Sequence, residues 1–252
     1  MSSIEFLTSI ATRAVAGARL RPYGIAVSDL EVDFDAPRPI VVTRVLAACI
    51  GGSDDDLWAL PVQTRILLAL AISEISVAAP IEARITCTCG ETAVIELATA
   101  ELASFAEERR RDELVVEADG ARARLRLPTG RDQLRWAQLA PGTDVAGAVF
   151  SQLVIEGALT DALVVAADRL LSDADPLVEL ELSSRCNACD AALSRTVDLE
   201  RIALTRLRYA RRGLLDQVHA LASTYHWTET VISALPAWRR VEYAALIEGK
   251  RR

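Results

Sequence analysis

The chain is predicted to fold as an α+β protein that is predominantly α-helical, with a small antiparallel β element at its centre carrying paired cysteine knuckles, zinc-ribbon-like and flanked by helical segments. Three observations lead there. Apolar residues recur at helical spacing through most of the 252 residues. Strand-like alternation is confined to short runs between residues 83 and 127 and again after residue 177. Each of two cysteine pairs sits where such a run turns.

Taken in order, residues 3–16 place Ile4, Leu7, Ile10, Ala11, Ala14 and Val15 at helical period. A stretch marked by Pro22, Pro37 and Pro39 reads as an irregular arm. A second helix is expected from Ile40 to Ile50, ended by Gly51-Gly52; Ser53 with the aspartates behind it starts the next turn. Leu60-Pro61 then precedes an apolar-rich helix from Val62 to about Val77.

The cysteine region begins at Pro80. The run Ala83 to Thr86 enters Cys87-Thr88-Cys89, and the run Leu177 to Ser183 enters Cys186-Asn187-Ala188-Cys189. Each pair is left by a run that closes on an acid and a leucine, Glu96-Leu97 and Asp198-Leu199, which makes a weak internal repeat. Between the pairs come a short helix to Arg111 and then Glu113–Ala118 and Ala121–Leu127, a hairpin around Asp119-Gly120. Its alternation puts Arg122, Arg124 and Arg126 on the solvated face and Ala121, Ala123, Leu125 and Leu127 inward. Helices are expected from Asp132 to Leu139, Asp144 to Glu156 and Thr160 to Leu171, with Pro141-Gly142 as a breaker.

From Leu204 a long helix runs to about Tyr225; Thr228 caps a short one, and Ala237 to about Ile247 closes the chain. The expected organisation is an N-terminal helical region (1–78), a discontinuous cysteine-knuckle β region (79–204) with a helical insertion (129–175), and a C-terminal helical hairpin (205–252).

A formal net charge of −7 argues against a phosphate-backbone binder, so no nucleic acid is expected as a partner. No charge-free apolar run approaches about 18 residues and no secretory leader is recognisable, so neither a membrane nor a membrane span is expected. Five cysteines, with Cys49 alone in a helical pattern, fit a reducing cytoplasm better than a disulfide-stapled domain.

Two thiolate pairs on turning strands suit one tetrahedral site shared by Cys87, Cys89, Cys186 and Cys189, since neither pair alone supplies four ligands. Closing the loop between Cys89 and Cys186 costs roughly 4 kcal/mol plus a constant, and structural zinc returns about 10–16 kcal/mol. One structural Zn²⁺ is the favoured reading; reduced buried thiols, or a disulfide or redox pair activated by Arg84, stay open. No catalytic constellation emerges. A phosphate loop and a nucleophile elbow are absent from the sequence, and His219 and His226, about 10 Å apart along a helix, are poorly placed to share an ion. Glu107 and Glu108 beside Arg109, Arg110, Arg111 and Asp112 read as a solvated helix face, and Arg201, Arg206, Arg208, Arg211 and Arg212 as a solvated or protein-docking one.

The stretch Gln217-Val218-His219-Ala220-Leu221-Ala222, followed by Tyr225-His226-Trp227-Thr228-Glu229, Ile232, Leu235-Pro236, Trp238-Arg239-Arg240 and Tyr243, resembles the end of the T-even phage baseplate hub-assembly proteins. It is closer still to their relatives in contractile tails and phage-tail-like contractile injection systems. The paired knuckles, Arg126-Leu127-Pro128-Thr129 with Asp132, and Leu60-Pro61-Val62 with Arg65 are similar too, so that the resemblance covers most of residues 40–245. The first knuckle departs from it: the family pattern has two residues between the cysteines, and here Thr88 stands alone. The resemblance implies a non-enzymatic baseplate component or hub-assembly chaperone, cytoplasmic or incorporated into the particle, whose partners are hub or spike proteins rather than a small-molecule substrate. The alternative is a zinc-ribbon module for protein interaction or a nucleic-acid-associated complex; a thiol oxidoreductase using Cys87 and Cys89 is the third.

Overall fold

The computed structural model describes residues 3–139 and 145–250. Its N-terminal third is helical: α1 (Ser3–Ala14), α2 (Arg38–Ile50), α3 (Asp54–Ala59) and α4 (Val62–Ser76). Local chemistry sets the starts. Pro39 lies in the first turn of α2, where its missing N–H is no loss, and the Ser53 hydroxyl accepts from the Asp56 amide at the head of α3. Residues 65–73 of α4 are buried without a break, as expected of a helix that is apolar all round and passes through the centre. The arm before α2 is more ordered than its prolines suggest. A 3-10 turn at Val27–Glu31 is built on buried Asp29, which accepts from the amides of Gly24, Ile25 and Ala26 and a two-point pair from Arg21.

Two hairpins carry the cysteines: β1 (Glu82–Thr86) with β2 (Thr92–Glu96), and β6 (Leu180–Arg185) with β7 (Ala192–Val197). The second begins three residues later than the alternation suggested, because Leu177, wholly buried, belongs to the turn leading into it. Between them lie α5 (Thr99–Glu108), β3 (Glu113–Ala118), β4 (Ala121–Arg126), α6 (Gly130–Trp136), α7 (Val145–Ser151), β5 (Val154–Glu156) and α8 (Asp161–Ala174). Asp119 and Gly120 turn the β3–β4 hairpin with φ of 50° and 75°, the left-handed pair that a two-residue turn needs.

The helix expected to reach Glu156 stops at Ser151, and Val154–Glu156 joins the free edge of β4 as a third strand. β-Branched Val154 and Ile155 suit a strand, and an open β4 edge supplies the partner. The expected break at Pro141-Gly142 and helix start at Asp144 lie outside the described residues. Arg124 pairs with exposed Glu113 and Glu156 as a surface residue should. Arg126 instead turns to Asp132, which is wholly buried and also accepts from the Thr129 amide and hydroxyl at the head of α6.

After β7 come α9 (Leu199–Tyr225), α10 (Glu229–Ala234) and α11 (Ala237–Lys250). α9 starts five residues before the sequence reading had it, because the Asp198 carboxylate caps the Arg201 amide and makes a helix start of what looked like a strand end. Among the described residues, apolar side chains gather in four clusters. The largest joins α1, α2, α4 and α5 to the first half of α9; a second lies between β3–β4 and α7–α8; a third, around Leu214, Leu221, Ile232 and Ile247, unites the C-terminal helices. The fourth is small and lies between the cysteine hairpins: Ile85, Cys87, Cys186 and Leu193. Among the described residues no helix is long and apolar enough to cross a membrane.

Candidate metal centre

The two cysteine hairpins are variations on one design. In the first, the ladder ends at Thr86↔Thr92; the Cys87 amide donates to the Glu91 carbonyl (2.7 Å) and the Gly90 amide donates back to the Cys87 carbonyl (3.0 Å). In the second it ends at Arg185↔Ala192; the Cys186 amide donates to the Ala191 carbonyl (2.9 Å) and the Asp190 amide to the Cys186 carbonyl (2.9 Å). Both chains turn left-handed immediately after the second cysteine, at Gly90 (φ 93°) and Asp190 (φ 57°). The missing spacer residue is therefore absorbed inside the loop. Gly90 closes on the residue three back and Asp190 on the residue four back, while the strands on either side keep the same relation.

The tips meet. Cys87 Sγ lies 3.7 Å from Cys189 Sγ, Cys89 Sγ lies 3.5 Å from Cys186 Sγ, and all four sulfurs fall within 4.8 Å of one another. A tetrahedral ion with metal–sulfur bonds of about 2.3 Å needs sulfur–sulfur edges of about 3.8 Å. A disulfide needs about 2.05 Å, and all five cysteines are free thiols. Cys87 and Cys186 are buried while Cys89 and Cys189 face outward, so the site has a closed side and an open one.

Backbone amides are aimed at the sulfurs from the residues two further on: Cys89 to Cys87, Glu91 to Cys89 and Ala191 to Cys189. Such donors favour thiolates and fix their orientation. The Cys89 amide, then the Cys89 thiol, draws Cys87 down to about 6. Cys89 gains the same help from Glu91, but the crowding sulfurs of Cys186, Cys87 and Cys189 outweigh it and push the thiol up to about 12. At Cys189 the Ala191 amide is likewise outweighed, chiefly by Cys186. Four sulfurs this close to one another ionise together only with a cation among them. Donor type, number and spacing thus fit a metal ion held by Cys87, Cys89, Cys186 and Cys189.

No family model, curated protein sequence or solved structure matches the chain. What its site can do follows from the geometry.

The other sequence candidates lie elsewhere. His219 and His226 are exposed, the first on α9 and the second at its left-handed cap (φ 57°), and neither joins the cysteines. Glu107, Glu108 and Asp112 make exposed ion pairs with Arg109 and Arg110. The α9 arginines, read as an outward face, divide. Arg206 donates to the carbonyls of Val77, Ala79 and Pro80, Arg208 to that of Phe34 and Arg211 to that of Leu30, fastening α9 to the N-terminal region. Arg201 and Arg212 stay exposed beside Asp198 and Asp216.

No sequence motif marks the buried titratable groups, among them Asp175, which follows the last residue of α8. It is 3% exposed, and neither carboxylate oxygen has a hydrogen-bond partner. Burial pushes it up to about 7, and the nearby Gln63 amide, outside hydrogen-bond geometry, offsets this only in part. An acid raised in the folded state binds a proton there that the unfolded chain has already lost, so stability falls as pH climbs from about 4 to 7. At about 1.4 kcal/mol per pH unit the loss is on the order of 4 kcal/mol. Asp175→Asn is expected to be more stable than the parent at pH 8 and equal to it near pH 4, as read from denaturation midpoints; a constant difference across that range would show that the carboxyl does not titrate there.

Proposed function

We propose that this protein is a non-enzymatic component of a contractile-tail baseplate, or a chaperone for assembly of its hub, built around one structural Zn²⁺. The observation that carries the structural part is the meeting of four thiols from two hairpins that lie far apart in sequence. Four protein ligands complete a zinc tetrahedron and leave no position for water or substrate, as in structural rather than catalytic sites. Cys87 and Cys89 would hold the ion from one side and Cys186 and Cys189 from the other, fixing the hairpins as one unit. A redox role for Cys87 and Cys89 is less well supported, because their sulfurs are not set apart as a pair: all four lie within 4.8 Å of one another.

The baseplate assignment is supported by the sequence resemblance, whose most distinctive residues come together in space. Tyr225, Trp227 and Tyr243 form one aromatic cluster with ring centroids 4.9–5.7 Å apart, on the C-terminal helices. Beside them α11 leaves Trp238, Val241 and Leu246 bare, apolar surface of the sort protein partners cover. The test is elemental analysis of protein purified without chelator, combined with co-expression with hub and spike proteins of a contractile tail. One zinc per chain and co-elution with hub or spike are expected. Zinc without either partner would remove the baseplate reading; a metal-free protein whose thiols titrate freely while folded would remove the structural-metal one.

A further inference from the structure

At the base of the cysteine hairpins, on the side away from the sulfurs, a groove of about 420 Å³ separates the outer edge of β1 from the end of β7 and the first turns of α9. Arg84, Arg195, Arg201 and Arg206 line it, against only Glu82 and Asp198. That is a local excess of positive charge in a chain whose net charge is −7. The acids are already engaged: Asp198 is held by Arg38 at 2.7 Å and Glu82 by Arg84 at 3.3 Å. No carboxylate among the described residues makes an ion pair with Arg195 or Arg206; Arg206 is largely spent on backbone carbonyls, whereas Arg195 gives one bond to the Arg84 carbonyl and keeps N–H groups to spare.

The groove also has open backbone. Hydrogen-bonded pairs alternate along an antiparallel ladder, and the Cys186 to Ala191 bond sets the phase for β6–β7, so Ser194 and Thr196 turn their N–H and C=O groups away from β6. No described strand pairs with that edge of β7, nor with the outer edge of β1. An uncovered strand edge invites an extended chain.

We propose that this groove binds an extended, acidic segment of a protein partner, its carboxylates on the arginines and its backbone along the β7 edge. Guanidinium groups grip carboxylates in paired N–H···O bonds, and the edge supplies a register. A nucleic acid would meet the same arginines, but the overall negative charge repels a long polyanion and the strand edge offers it nothing. The inference deepens the protein-partner reading above and rests on it only in making the occupant a protein.

The probe is a fluorescein-labelled decapeptide of alternating glutamate and valine, titrated with the zinc-loaded full chain and read by anisotropy. Binding is expected to weaken about tenfold or more in an Arg84→Glu/Arg201→Glu variant, and several-fold as salt rises. Both side chains are exposed, and unchanged circular dichroism and zinc content establish that the variant folds; Arg84→Gln/Arg201→Gln takes its place if it does not. The same peptide with alternate amides N-methylated keeps its charge and should bind about tenfold more weakly. Equal binding of the N-methylated peptide, equal binding of a lysine–valine peptide, no binding at millimolar concentration, or tighter binding of a single-stranded oligonucleotide lost in the same variant would each overturn the proposal. Zinc content and hub co-elution are measured separately, so a failed groove leaves the baseplate reading standing, and the reverse.

Discussion

A Cys186→Ser variant is expected to lose its metal and to lower the thermal midpoint by about 10 °C or more. Structural zinc contributes about 10–16 kcal/mol of apparent binding free energy, from which closing the long loop subtracts roughly 4 kcal/mol plus a constant. If only about 4 kcal/mol of the remainder reaches global stability, the usual 2–4 °C per kcal/mol for a chain of this size gives that shift. Cys186 packs against Ile85 and Leu193, so its serine also places a hydroxyl among apolar neighbours. Cys49→Ser separates this cost from the metal's, because Cys49 is equally buried but stands alone in α2.

A shared site makes a further demand. Cys87→Ser and Cys186→Ser each empty it, so the double variant should be little worse than either single one. Additive losses in the double variant, or a Cys186→Ser protein that melts within about 2 °C of the parent, would mean that the sulfurs are four separate packing groups.

Cysteine spacing made the gathering of the four thiols legible, because each pair lay at the tip of an alternating run and only a joint site had enough ligands for an ion. Spacing did not reveal how Cys-X-Cys could serve as well as Cys-X-X-Cys. That depends on Gly90 and Asp190 taking left-handed turns at equivalent places in loops of unequal length. Helices with strong apolar period were also legible, α1 among them, and α4 was legible from its nearly unbroken apolar run after Pro61. What stayed hidden were decisions made by partners: β5 exists because β4 has an edge to fill, and Arg126, on the open face with Arg124, spends its guanidinium on buried Asp132 rather than on surface acids. Asp198 carries a clear capping signal, but it followed a strand-like run and was read as that run's end. The arginines of α9 look alike in sequence, and only the fold separates Arg206, Arg208 and Arg211, tied to the N-terminal region, from Arg201 and Arg212, left exposed.

Arg65→Met is expected to destabilise the protein by about 3–5 kcal/mol. Arg65 is wholly buried in α4, and its guanidinium donates to the carbonyls of Leu57 (2.8 Å) and Pro39 (2.8 Å) and to the Thr43 hydroxyl (2.9 Å), beneath the Trp58 ring. Burial lowers its pKa to about 10, offset by Glu200, so it stays charged at neutral pH. Glu200, buried in the first turn of α9, is in turn pushed up by burial and held down by Arg65. Methionine fills much of the volume but strands those acceptors and leaves Glu200 without its buried cation.

Gly130 supplies the decisive control. A Cβ there would lie 2.5 Å from Arg65 Cζ, and three hydrogen bonds prevent the guanidinium from moving aside. Gly130→Ala should therefore cost about 1–3 kcal/mol in the parent and much less in Arg65→Met, where the planar group is gone. Equal costs in both backgrounds, measured by urea midpoints, would mean that Gly130 is needed for some reason other than this contact. Glu200→Gln should recover part of the Arg65→Met loss, because it removes the stranded charge while keeping the shape; no recovery would leave the loss to the unsatisfied carbonyls alone.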